Sequence, residues 1–145
     1  LIPLKEFIKG PGKTLLAREE LVTGISFPKP VQTSRAVFQK LGKRKAMNIA
    51  AVNSAVRIDF NPDQTVQKAH IVLGSVAPGP FVPEDVQTLL QGKLLSENLI
   101  VQAAKKCKEL VQPIDDVRAS AEYRRAIVEI YVRRSLNQIK EWQDG

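Results

Sequence analysis

The residues that build most metal and nucleophilic centres are almost missing from this chain. It has one cysteine, Cys107, and one histidine, His70. A lone cysteine permits no internal disulfide, which fits a reducing compartment and a cytoplasmic location. It also excludes a four-thiolate iron–sulfur cluster or a structural zinc site within the chain. One histidine cannot supply a His-based metal site, and a Ser-His-Asp arrangement would rest on it alone. We read His70 as a strand residue with a satisfied ring. No metal site and no catalytic residue is expected. No apolar run approaches the roughly 20 residues that span a bilayer, so no membrane partner is expected. The opening Leu-Ile-Pro-Leu-Lys-Glu-Phe lacks the basic-then-apolar order of a signal peptide. The one methionine is Met47, which leads us to expect a piece of a longer polypeptide with further residues on the N-terminal side.

What is present is ordinary globular material with a basic excess. Of 145 residues, 43% are apolar and 26% charged, and the net charge is +7. That length supports one compact core, or one core with a short appendage. The excess implies an acidic partner, without deciding among nucleic acid, membrane surface and protein. Its densest point is Lys40-Leu41-Gly42-Lys43-Arg44-Lys45, four cations with no acid.

Hydrophobic periodicity gives the elements. Residues 1–30 form a lead-in. Within it Gly10-Pro11-Gly12 is a turn, and Ile25-Ser26-Phe27 reads as a short strand closed by Pro28 and Pro30. Residues 33–39 read as a strand with Ala36 and Phe38 on one face. Residues 46–52, small and apolar, read as one or two helical turns. Val56, Ile58 and Phe60 alternate with polar residues, and so do Ala69, Ile71 and Leu73 around His70. Asn61-Pro62-Asp63-Gln64 between them is a turn, which makes a hairpin. Gly74-Ser75-Val76-Ala77-Pro78-Gly79-Pro80 ends the sheet. Pro83 with Glu84 and Asp85 opens a helix that Gly92 stops. Ser96 opens a second, with Cys107 on its apolar stripe, and Pro113 follows it. The last helix is predicted over 119–142. Its expected buried stripe is Tyr123, Ile127, Ile130 and Tyr131, flanked by Arg124, Arg125, Arg133 and Arg134. Strands first and helices after make an α+β fold: a small antiparallel sheet packed with a C-terminal helical layer.

Three segments invite chemical readings. Gly10-Pro11-Gly12-Lys13-Thr14 suggests a phosphate loop, but the earlier glycine of that pattern is Phe7 here and no long apolar strand precedes it, so a tight turn is the better reading. The run at 40–45 reads as a solvated loop or as a basic face. Nucleic-acid binding would want interleaved exposed aromatics, and only Phe38 is near, with its alternation placing it in the sheet. Residues 113–125 mix charges densely. Asp115 and Asp116 suit the positive end of a helix, and Arg118 is within reach of either. An interface role is the alternative, since arginine binds carboxylates bidentately.

Four stretches together resemble the C-terminal domain of the FAD-binding medium subunit of the molybdenum hydroxylases, the xanthine dehydrogenase and carbon monoxide dehydrogenase family. They are Gly10-Pro11-Gly12-Lys13-Thr14-Leu15-Leu16 with Glu19-Glu20-Leu21; residues 40–50; Leu73-Gly74-Ser75-Val76-Ala77-Pro78; and residues 113–125 with Val132-Arg133-Arg134. The resemblance implies a three-stranded antiparallel sheet with a helical bundle over residues 31–145. It implies that residues 1–30 complete an upstream domain holding most of the FAD. It further implies a large subunit with molybdopterin and a small subunit with iron–sulfur clusters as partners, with electrons passing through the flavin to an acceptor such as NAD. Two positions match flavin contacts in the family: Val22, which would pack on the flavin, and Lys40, whose ammonium would stand near it. Residues 41–50 match a loop bordering the flavin. The chain departs there: where xanthine dehydrogenases carry acids it has Ala46, Met47 and Asn48. The rival from another class is a basic interaction module that binds nucleic acid or an acidic protein.

Overall fold

The computed structural model describes residues 1–42 and 48–144. The chain opens with one helical turn, α1 (Leu4–Phe7), and a two-strand ribbon, β1 (Ile8–Gly10) against β2 (Lys13–Thr14). The expected turn joins the two strands, and Gly12 takes the left-handed backbone there, with φ 67°. The strand predicted at Ile25-Ser26-Phe27 does not form. Ile25 and Phe27 are each 79% exposed and lie in irregular backbone. Alternation alone cannot hold a strand that has no ladder partner, and the two prolines behind it cannot donate to one.

The sheet follows: β3 (Ser34–Gly42), β4 (Ala50–Phe60) and β5 (Val66–Gly74), all antiparallel, with β4 in the centre. Residues Ala50, Ala51 and Val52 are the start of β4, not a helix, with Val52 opposite Leu41 and Ala50 opposite Gly42. A short run of small apolar residues suits either state, and here pairing with β3 decides. Ala46 and Met47, the rest of that expected helix, lie outside the described residues. The β4–β5 turn forms as its chemistry requires. Asn61 N–H donates to the Thr65 carbonyl at 2.9 Å, and Asp63 Oδ1 accepts from Thr65 N–H at 3.0 Å.

Side chains alternate across the sheet, so each face is a separate surface. Val37, Val52, Val56, Ile58, Ala69, Ile71 and Leu73 lie under the helices and are buried. Above them sit α2 (Glu84–Leu90), α3 (Glu97–Leu110) and α4 (Ala121–Asp144). The α+β reading therefore stands. α3 starts where expected, with Ser96 Oγ accepting the Leu99 N–H at 3.3 Å. Cys107 is fully buried on its stripe, and burial pushes its thiol up to about 12, so it is packing rather than a nucleophile. Among the described residues no helix is long and apolar enough to cross a membrane.

The buried stripe of α4 differs from the expectation. Tyr123 is 49% exposed and Ile130 39%. The residues facing the core are Arg124, Val128, Val132, Ser135, Leu136 and Ile139, one residue out of phase with the predicted stripe. Arg124 leads it, 1% exposed. Its Nη1 donates to the carbonyls of Ala51 at 2.5 Å and Ser75 at 2.9 Å, and its Nη2 to Asp116 Oδ1 at 2.5 Å. Asp116 also accepts from Arg118 N–H, Nε and Nη2. Asp115 Oδ1 takes the Ala121 N–H at 2.7 Å at the helix start. One guanidinium thus joins the first turns of α4 to the head of β4, the loop after β5 and the strap 115–119.

Two outcomes follow from this junction. Replacing Arg124 by Leu leaves the Ala51 and Ser75 carbonyls without their donor and the half-buried Asp116 carboxylate to Arg118 alone. Denaturant unfolding should show a loss of about 2–4 kcal/mol, since each buried acceptor left unsatisfied costs about 1–3 kcal/mol. Arg118→Ala, at the exposed side of Asp116, should cost only about 0–1 kcal/mol. Separately, the Arg118 side-chain donors hold the Asp116 carboxyl well below the usual carboxylate range, helped by the Arg118 and Ala119 N–H groups and the Arg124 charge and opposed by partial burial. A depressed folded value stabilises the fold above the unfolded carboxylate pKa of about 4, and the gain is lost as pH falls below it. In thermal melts from pH 7 downward, the advantage of the native chain over Asp116→Asn should hold to about pH 4 and then shrink; a gap that widened with acid would contradict this.

Candidate functional site

Among the described residues no helix or strand covers the face of the sheet away from the helices, though the 28–31 stretch borders it. Register assigns it Ser34, Ala36, Phe38 and Lys40 from β3; Asn53, Ala55, Arg57 and Asp59 from β4; and Lys68, His70, Val72 and Gly74 from β5. Its middle is apolar. Phe38, opposite Ala55, is 66% exposed. The sequence placed Phe38 within the sheet, and so it is, but on the uncovered side. Alternation names a residue's face without saying which face will be covered.

The end of this face towards the β4–β5 hairpin is polar, with Arg57, Asp59 and His70 interacting and Lys68 exposed beside them. Arg57 Nε lies 3.2 Å from Asp59 Oδ1, and Asp59 accepts the Ser34 hydroxyl at 2.5 Å. Arg57 Nη2 stands 2.7 Å from His70 Nε2. A guanidinium only donates, so Nε2 accepts and the ring is neutral, protonated at Nδ1. Burial first, and then the Arg57 charge, lower the His70 pKa from its ordinary value. The ring is satisfied, as the sequence reading held. The Arg57 and Asp59 charges hold one another.

The other end is different. Lys40, Asn53 and Gly74 form one row across the three strands, each the register partner of the next. Lys40 is exposed. Among the described residues, neither its ammonium nor the Asn53 amide has a hydrogen-bond or ion-pair partner. The Asn53 side chain lies over Gly74. A Cβ built on Gly74 would meet Asn53 Oδ1 at 2.4 Å and Nδ2 at 2.6 Å. At the neighbouring strand end Asn48 lies over Gly42 in the same manner, with its Nδ2 1.6 Å from where a Cβ would be. Both strand ends therefore need glycine beneath an asparagine amide. Asn53 and Gly74 also line a cavity of about 670 Å³ beneath the 74–80 loop, whose wall includes Ile8 of the ribbon and Arg118.

Val22 is elsewhere. It is 56% exposed and lines a groove of about 550 Å³ formed within the N-terminal segment by Leu4, Phe7, Leu16 and Leu21 among others. Lys40 is not among the residues of that groove. The two expected site residues thus sit on separate surfaces, and the structure does not bring them together within one cavity. Lys43, Arg44 and Lys45, together with Ala46 and Met47 (the middle half of the expected border loop), lie outside the described residues. Sequence reasoning did not find Asn53 or Gly74. The available signal was an asparagine inside a strand, a residue type depleted there.

Comparison with known proteins bears on the family of this fold. A profile of the CO dehydrogenase flavoprotein C-terminal domain matches residues 37–139. The chain is 30% identical over 136 residues to the carbon monoxide dehydrogenase medium chain of Hydrogenophaga pseudoflava, covering 94% of this chain and 47% of that one. It is 28% identical over 135 residues to the glyceraldehyde dehydrogenase medium chain of Sulfolobus acidocaldarius, covering 92% and 47%. The solved carbon monoxide dehydrogenase of Hydrogenophaga pseudoflava lacking the Mo-pyranopterin moiety superposes with a TM-score of 0.82 at 29% identity, over 92% of this chain and 46% of that chain. The chain spans about half the length of the medium chains it matches. With the profile running from β3 to the end of α4 and the same fold beneath it, the chain belongs to the CO dehydrogenase flavoprotein C-terminal domain family.

Proposed function

We propose that this chain is the C-terminal part of a flavoprotein subunit in a molybdenum-containing hydroxylase complex, where it completes the FAD pocket and part of the subunit interface. The carrying observation is the exposed, unpaired Lys40 at the open end of β3, within the part of the chain that defines the family. The open row fits a flavin: a donor-only cation stands beside an amide that both donates and accepts, at a strand edge kept bare by glycine. FAD would relay electrons between iron–sulfur centres in a small subunit and an acceptor such as NAD, while a molybdopterin large subunit hydroxylates substrate.

In this reading residues 1–30 close against an upstream FAD-binding domain. Leu21, Val22, Ile25 and Phe27 are exposed apolar residues on that segment and supply the surface for it. Val22 would pack on the flavin from there. Lys40 would hold its ammonium near the ring and favour the negative charge that reduction brings. A cytoplasmic location accords with the reading. The chain is not catalytic by itself.

One observation favours the basic interaction module instead. Phe38 stands exposed on the same face as Lys40, an aromatic beside a cation on an uncovered sheet. Steeply salt-dependent DNA binding by this chain would support that reading.

The test uses the full-length FAD-bearing polypeptide in its complex. Lys40→Met should lower the flavin midpoint potential by tens of millivolts, since an exposed ion pair contributes about 1 kcal/mol and 30 mV corresponds to about 1.4 kcal/mol for two electrons. Unchanged potential together with unchanged FAD content would remove Lys40 from the site.

A further inference from the structure

We propose that Asn53 is a flavin-binding residue, reading the pyrimidine edge of the ring beside Lys40, and that Gly74 is the position that allows it to do so. The inference rests on the reading that Lys40 faces FAD and adds a specificity determinant to that site.

Four observations converge. First, Asn53 is the direct cross-strand partner of Lys40 on the same face. Side chains so paired stand about 5 Å apart at Cβ and address the same ligand. Second, asparagine is a poor strand residue, because its amide competes for backbone hydrogen bonds. Asn53 lies inside an 11-residue strand with no described hydrogen-bond partner that would account for it. Third, the amide lies across β5 in the space a Gly74 side chain would fill, with Cγ 2.8 Å from the would-be Cβ. Any other residue at 74 would push it away. Fourth, the amide borders the cavity under the 74–80 loop, so a planar ligand edge has room to approach it.

The chemistry selects the ligand edge. A flavin pyrimidine ring presents carbonyl, N–H and carbonyl in sequence. A carboxamide is self-complementary to half of that edge: its Oδ1 accepts from N3–H while its Nδ2 donates to the neighbouring carbonyl. Lysine can only donate, so it serves the remaining carbonyl and the charge next to it. Asn53 thus serves two of the three polar features of the edge and Lys40 the third, while Gly74 leaves the space the amide occupies. At the other end of the face Arg57, Asp59 and His70 contact one another, with Arg57 Nε near Asp59 and Arg57 Nη2 against His70.

The experiment compares FAD with an N3-methyl FAD analogue, which lacks the N3 proton, in the full-length polypeptide. Dissociation constants are measured by flavin fluorescence for the native protein and for Asn53→Ala, Gly74→Ala and Lys40→Met. Native protein should prefer FAD by roughly tenfold, the worth of one hydrogen bond to a ligand. Asn53→Ala should weaken FAD by about that factor and abolish the preference, and Gly74→Ala, if folded, should do the same. Lys40→Met should weaken FAD yet keep the preference. If Asn53→Ala retains the preference while Lys40→Met weakens FAD, Asn53 does not read the edge and the inference fails alone. If neither variant changes FAD binding, the placement of this row at the flavin fails and the inference falls with it.

Discussion

A single buried guanidinium sets the geometry on which the rest of the molecule depends. Arg124 sits at the head of α4 and reaches three separate segments through carbonyls of Ala51 and Ser75 and the carboxylate of Asp116. An unpaired arginine at 1% exposure would be untenable, because desolvating its charge costs several kcal/mol. With every reachable donor matched to an oxygen, the cost becomes a constraint. The strap, the loop after β5 and the start of β4 can be arranged in few ways that keep those oxygens together. Ser75 takes a positive φ of 64° and donates its hydroxyl to the Ala50 carbonyl, so the loop meets the same stretch of β4 a second time.

That constraint acts at one end of the sheet, the end carrying the candidate site. Ala51 lies two residues before Asn53, and Ser75 follows Gly74. The backbone on both sides of the Asn53–Gly74 pair is therefore tied to α4 through Arg124. Polar groups that bind a ligand do so best when their own positions are fixed beforehand, since ordering them on binding costs free energy. The helices contribute to the site mainly from the far side, with Arg124 of α4 also lining the cavity that Asn53 and Gly74 border. They cover the opposite face, hold the three strands in register and anchor the ends of two of them.

The strands were legible because alternation survives in them: Val56, Ile58 and Phe60 and then Ala69, Ile71 and Leu73 are buried as their spacing required. The caps were legible too, since Ser96 and Asp115 do at the starts of α3 and α4 what such residues do locally. What failed was every inference that used polarity as a proxy for position. Arg124 was placed on a flank because it is charged, and that displaced the stripe of α4: Ile127 does pack against the core, but Tyr123 and Ile130 were drawn into a core they do not enter. Ala50 to Val52 looked helical because nothing local distinguishes a small apolar run in a central strand. Phe38 was placed in the sheet correctly, but sequence cannot say which face of a sheet receives the helices. Lys40 was proposed through a resemblance, and Asn53 escaped notice because the role proposed for it depends on a neighbour 21 positions away.

The basic run that dominates the sequence looks different once the sheet is in view. Lys40 is the only one of its four cations on a described strand, and its partner across the ladder is neutral. Elsewhere on the same face Arg57 is paired with Asp59, which also takes the Ser34 hydroxyl, while Lys68 beside them is a second exposed cation. What sets the Lys40 end apart is the amide next to the cation, which the hairpin end lacks. The asymmetry argues for a ligand that meets one fixed cation and one amide together at the strand end, which a diffuse polyanion does not require and a planar heterocycle with a polar edge does.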